Sequence, residues 1–263
     1  MRTQGVMAFA VAGLLTVAGP AAAQTPAAPA AAPAAQAASA GGWSVSFDVG
    51  LDSNLSGEIY NRAQGNALGQ PVQISARTYR RAYGPGLAWS VAVGRSLGDR
   101  SELRIRVGGN NASGDRTQTG RVGTGDITGT LFSKPDKLME VGLDVGLRQY
   151  FGGGTVQPYL GGQVGFARVN AISADFDVPD AIFAFQTNVD LYAASTAVTA
   201  GASGGFMFNR SERFGIYINV DARYRANLKE ADDADVVATG LEIINDDSAR
   251  WSTPLSVGAR VRF

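Results

Sequence analysis

The 263-residue sequence predicts an all-β chain, an eight-stranded antiparallel up-and-down transmembrane β-barrel. Three observations predict it. Apolar and polar residues alternate with period two in eight separate runs, the signature of strands with two unlike faces. Charge falls on one parity of those runs. The joins between runs are alternately short and long, as in a meander with tight turns at one end and loops at the other.

Composition removes most competing classes. With 23 Lys+Arg against 23 Asp+Glu there is no basic surface for nucleic acid. The absence of Cys excludes a disulfide framework, a lipidated cysteine and thiol chemistry. The absence of His excludes Ser-His and Cys-His couples and imidazole metal ligands. No catalytic, metal-ligating or cofactor-binding residue is therefore expected, although a carboxylate base remains chemically available.

Residues 1–23 read as a cleaved secretory signal peptide. Arg2 is followed by an apolar run from Val6 to Val17, a Gly19-Pro20 break and the small-residue end Ala21-Ala22-Ala23. The run is too short to span a bilayer as a helix, which takes ~20 apolar residues. Residues 24–42, rich in Ala and broken by Pro26, Pro29 and Pro33, read as an extended spacer with nothing to bury. Residues 43–263 form the barrel.

The first strand sets Trp43, Val45, Phe47, Val49 and Leu51 against Ser44, Ser46, Asp48 and Gly50. The second, 87–94, and the third, 102–108, oppose Leu, Trp, Val and Ile to Ala, Ser, Glu, Arg and Gly. Met139 to Arg148 is the fourth, Val156 to Phe166 the fifth, Val198 to Phe208 the sixth, Phe214 to Tyr224 the seventh and Trp251 to Phe263 the last. Asp48, Glu102, Arg104, Arg106, Glu140, Asp144, Arg148, Asp221, Arg223, Arg260 and Arg262 all lie on the polar parity. A one-residue slip would invert every face, so this segregation fixes the parity.

Parity alone does not say which stripe faces out. A soluble lipocalin-like carrier would place the apolar stripe inside around a ligand; a membrane barrel does the reverse. The polar stripes are rich in Gly, Ser and Ala, which suit a crowded lumen. Aromatics gather near strand ends (Trp43, Tyr150, Phe151, Phe208, Tyr224, Trp251 and Phe263), as interfacial girdles require. Strands of nine to thirteen residues at ~3.3 Å each, tilted ~40°, match an apolar band of ~25 Å. The membrane orientation follows, and closure with it, because an open edge in lipid strands backbone polar groups.

The terminal strand PLSVGARVRF ends at Phe263 with apolar residues at alternate positions and looks like the assembly signal of bacterial outer-membrane barrels. The segments GPGLAWSVAVGRSLGDRSELRIRV (84–107) and VQPYLGGQVGFARV (156–169) resemble the small OmpA-like/Opa-like outer-membrane β-barrel family. That resemblance implies insertion by the barrel assembly machinery into the outer membrane of a Gram-negative bacterium. Relatives include structural proteins, adhesins and complement-binding proteins, so no single activity is implied. No peptidoglycan-binding domain follows the barrel, a departure from full-length OmpA-type proteins.

The expected site is a lumen charge network of Asp48, Glu102, Arg104, Arg106, Glu140, Asp144, Arg148, Asp221 and Arg223. Antiparallel pairing should bring Glu102 near Arg148, and Arg104 and Arg106 near Asp144 and Glu140. Eight strands enclose space for side chains or one small ligand, so a plug competes with a narrow gated diffusion channel. The long joins, roughly 52–86, 109–137, 167–190 and 226–250, are expected as solvated extracellular loops. Arg77, Arg80 and Arg81 are candidates for lipopolysaccharide phosphates, since the guanidinium fork matches phosphate oxygens. Asp232, Asp233 and Asp235 are acidic enough for Ca²⁺ but lack the Gly and terminal Glu of an EF-hand. Ile182, Phe183 and Phe185 form an apolar loop patch. The expected role is structural and surface-interacting: envelope integrity, adhesion, or contact with a surface protein or host ligand, with outer-membrane lipid and lipopolysaccharide as surroundings.

Overall fold

A computed structural model describes residues 42–67, 69–124, 127–179, 185–231, 242–245 and 248–263. The expected leader, all of the spacer but Gly42, the apolar residues Ile182 and Phe183, and the acidic trio Asp232, Asp233 and Asp235 lie outside the described residues.

Each alternating run becomes a barrel strand. These are β1 (Trp43–Ser56), β6 (Gly86–Ser96), β7 (Ser101–Ala112), β10 (Leu138–Tyr150), β11 (Val156–Val169), β14 (Ser195–Asn209), β15 (Phe214–Arg225) and β16 (Arg250–Arg262). Every strand pairs antiparallel with the next in the chain, and β1 pairs with β16 from Ser44↔Arg262 to Ser56↔Trp251, so the sheet closes. Backbone donors and acceptors along the barrel are thereby satisfied within it, the condition for spanning lipid.

Short turns join β6 to β7, β10 to β11 and β14 to β15. Gly98 (φ 136°) and Gly152 (φ 72°) occupy the left-handed backbone region there, which residues with a Cβ rarely adopt.

The faces divide by parity. Val141 is 52% exposed and Ile218 43%, whereas Asp144 is 5%. Valines, leucines and aromatics cover the outside, and the charges look inward. Water could not solvate that apolar band favourably, so the chain is a transmembrane barrel and not a soluble carrier. One assignment needs correction. Tyr150, expected in an interfacial girdle, faces the lumen and is buried with Tyr159, Met207 and Tyr217. It sits one residue before the outward Phe151, on the polar parity that also carries Arg148.

The long joins are not merely solvated loops. They contribute β3 (Ala63–Ala67), β4 (Gln70–Ile74), β8 (Thr117–Thr124), β9 (Ile127–Pro135), β12 (Ile172–Val178) and β13 (Phe185–Tyr192) to a second, six-stranded sheet ordered β13-β12-β9-β8-β4-β3. A two-stranded piece, β2 (Glu58–Tyr60) with β5 (Arg77–Thr78), and a single helical turn, α1 (Tyr79–Ala82), complete it. Ile59, Tyr60, Val72, Tyr79, Leu131, Ile172, Phe176 and Leu191 pack into one core there. That core includes Ala112, Leu138, Val169 and Ala197, the lumen-facing residues at the loop ends of β7, β10, β11 and β14. The joins therefore form a folded cap continuous with the barrel mouth.

Candidate functional site

The polar stripes meet in the lumen as three tiers. The tier beneath the cap holds Asp52, Glu140, Arg225 and Arg250. Arg225 spans Asp52 (3.2 Å) and Glu140, and Arg250 bonds the second oxygen of Glu140. Ser252 and Asn110 donate to Asp52 at 3.2 and 3.0 Å. The guanidinium of Arg250 also lies 4.8 Å from the ring centre of Tyr79, which joins this tier to the cap.

The middle tier crosses the barrel. Arg106 donates to Asp221 (3.0 Å) and lies 3.7 Å from Asp144, while Arg223 donates to Asp144. Thr199 donates to the other oxygen of Asp144 (2.9 Å), and Asn219 to Asp221 (2.8 Å). Asp48 accepts from Ser90 at 2.7 Å and from Tyr217 at 2.8 Å.

At the short-turn end Glu102 is held by Arg260 (3.2 Å), the Tyr150 hydroxyl (2.6 Å) and Ser44. Arg104 donates to Ser46 at 3.0 Å. The Arg148 guanidinium lies 4.0 Å from the Tyr159 ring centre and 5.4 Å from that of Tyr217.

All nine expected lumen residues thus face the interior, with altered partnerships. Asp144 does meet Arg106. Glu140 does not meet Arg104 or Arg106; it stands one tier higher, opposite Asn110, and is bridged by Arg225 and Arg250. Glu102 is in register with Arg148, yet its carboxylate turns across the lumen to Arg260. The expectation considered one adjacent strand pair, whereas side chains in a narrow barrel reach across its diameter. Asp52, Arg225 and Arg250 were missed because they lie one step beyond the apolar runs. Continuing the polar parity by two residues, 50 to 52, 223 to 225 and 252 to 250, would have found them.

On the cap, Arg80 and Arg81 of α1 are exposed and Arg77 is half-buried, so the three do not form one equivalent surface. Burial, with the nearby Arg81 charge, lowers the proton affinity of Arg77. Burial raises the phenols of Tyr60 and Tyr83 well above the ordinary tyrosine value, which keeps both neutral inside the cap. Arg116 forks onto Asp177 with bonds of 3.0 and 2.5 Å and lies over the Phe132 ring at 4.0 Å, clamping β9 and β12 from outside. Among the described residues no cluster of three or more Asp, Glu, His or Cys side chains has metal-binding geometry.

No protein-family model and no curated protein matches the sequence. Solved structures with similar coordinates include Neisserial surface protein A, 15% identical with a TM-score of 0.42, covering 84% of this chain and 97% of that one. Ail, the attachment invasion locus protein of Yersinia pestis, is 11% identical with a TM-score of 0.41, covering 85% and 99%. The outer-membrane protease OmpT from Escherichia coli is 8% identical with a TM-score of 0.42, covering 84% and 97%. The strand order, closure and inside-out polarity of this chain stand independently of these likenesses. They make it a small eight-stranded outer-membrane-type β-barrel, the architecture its OmpA-like resemblance implies.

Proposed function

We propose that this chain is an integral outer-membrane protein whose barrel is a closed, rigid stalk and whose folded cap is the surface-interacting part. One observation carries the reading: three of the four long joins build a sheet over the mouth of the barrel, and the fourth adds Leu228 and Ile244 to its core. Solvated loops would leave a gate; a packed core continuous with the barrel wall does not. Below it, buried ion pairs cross the lumen, and tyrosines fill its other end. The role is non-catalytic, in envelope integrity or in contact with a neighbouring surface molecule, and matches a sequence without histidine.

Planar-bilayer recording tests this reading against a narrow diffusion channel. The full chain is expected to give no steady single-channel current. Reproducible conductance steps that change on neutralising Arg104 or Glu140 would establish the channel instead.

The exposed Arg80 and Arg81 supply the contact we propose for lipopolysaccharide phosphates. Reversing both (Arg80→Glu, Arg81→Glu) is expected to weaken binding of lipopolysaccharide micelles to the detergent-solubilised chain several-fold at low salt. Unchanged binding would remove these residues from the interface.

A further inference from the structure

The lumen charges do not balance. Among the described residues, and inward of Arg262 at the rim of β16, seven arginines, 104, 106, 148, 223, 225, 250 and 260, face six carboxylates, Asp48, Asp52, Glu102, Glu140, Asp144 and Asp221. The tier under the cap is matched two against two, and so is the middle pair of Arg106 and Arg223 with Asp144 and Asp221. The excess lies at the short-turn end, where Arg104, Arg148 and Arg260 meet Glu102, while Asp48 of the middle tier accepts from Ser90 and Tyr217. Among the described residues no carboxylate oxygen comes within 4.0 Å of the guanidinium nitrogens of Arg104 or Arg148.

A small cavity occupies this place. Arg104, Arg106, Arg148, Gln163 and Ser203 line it, and it has room for about one water-sized molecule. Donors there make no hydrogen bond: Nε and Nη1 of Arg148, Nε2 of Gln163, and Nε of Arg106, which lies 3.7 Å from Asp144. Arg148 is 3% exposed and Arg106 8%, so bulk water does not satisfy them. Asp144 also borders the cavity, but its two oxygens are engaged by Thr199 and Arg223. A buried uncompensated charge is costly, and buried donors without acceptors add to that cost.

We propose that the lumen binds one small monovalent anion, of the size and charge of chloride, among Arg104, Arg148, Gln163 and Ser203. One negative charge neutralises the excess, and a monatomic anion accepts from several donors without a fixed geometry. Phosphate and sulfate exceed the space. The site makes the anion part of the stalk, a structural ion held between the tyrosine layer and the middle tier.

The refolded full chain in detergent is to be heated at a fixed scan rate in sodium chloride and in sodium gluconate of equal ionic strength. Chloride is expected to raise the unfolding midpoint saturably, as for a ligand that binds the folded state alone. Arg148→Gln should lose that dependence. Gln163→Glu, which builds a negative charge into the cavity, should also lose it and should hold the midpoint in gluconate near the wild-type value in chloride. Crystals grown in bromide should show an anomalous peak within hydrogen-bond distance of Arg148 and Gln163. Equal midpoints in both salts, a salt difference that persists unchanged in Gln163→Glu, or density without anomalous signal, meaning water only, would each overturn the site.

Discussion

Glu140 shows how a single side chain acquires its importance from where its strand enters the cap. It is 6% exposed and bridges Arg225 and Arg250, themselves 2% and 1% exposed. Desolvating those three groups costs more than a surface pair would, and the geometry offsets it because both carboxylate oxygens and both guanidinium groups are used. Glu140→Gln should therefore destabilise the chain by about 3–5 kcal/mol, since it strands a buried cation. Removing Arg250 as well (Glu140→Gln with Arg250→Gln) restores the local balance through Arg225 and Asp52. The pair should cost clearly less than the sum of its single changes. Urea unfolding in lipid vesicles measures both, and strict additivity would show that Glu140 and Arg250 are not coupled.

At the scale of elements, the cap behaves as a sheet and depends on the close approach of its strands. Gly120 of β8 lies opposite Ile74 of β4, and a Cβ there would fall 2.0 Å from the carbonyl oxygen of Gln73. Gly120→Val should separate β3 and β4 from the rest of the cap sheet while leaving the barrel register untouched. Limited proteolysis should then cut within residues 57–85 at least tenfold faster, with the heat-dependent gel shift of the folded barrel retained. Loss of that shift would mean the cap and barrel do not fold as separable layers. These strands were illegible in the sequence for physical reasons. They are short, and register shifts at Gln118/Gly120 and Ile172/Ser173 interrupt them. Ile172, Ala174, Phe176 and Val178 alternate cleanly with Ser173, Asp175 and Asp177, a signal of the period-two kind that marks the barrel strands.

For the whole molecule, the bilayer is the solvent that makes an inside-out protein stable. Leu143 and Val145 point into lipid from the middle of β10, on either side of Asp144 that points into the lumen. Val145→Arg should cost about 2–4 kcal/mol of folding into vesicles, as for a cation near the bilayer midplane. The same substitution at the exposed Leu97, in the turn between β6 and β7, should cost about 1 kcal/mol or less. Equal costs at both positions would place Val145 outside the hydrocarbon region.

The sequence by itself determined the barrel: strand number, parity, order and the alternation of turns with long joins. Those features rest on local periodicity, which a chain displays residue by residue. Parity also grouped nine of the lumen charges on one face, although Asp52, Arg225 and Arg250 lie beyond the apolar runs that mark it. Only the tertiary structure decided which charge meets which, since partners such as Glu102 with Arg260, or Glu140 with Arg225 and Arg250, lie on strands far apart in the chain and touch across the barrel axis. It alone decided that the joins fold, because a sheet assembled from three separate joins is held by pairings between segments that no single one of them displays.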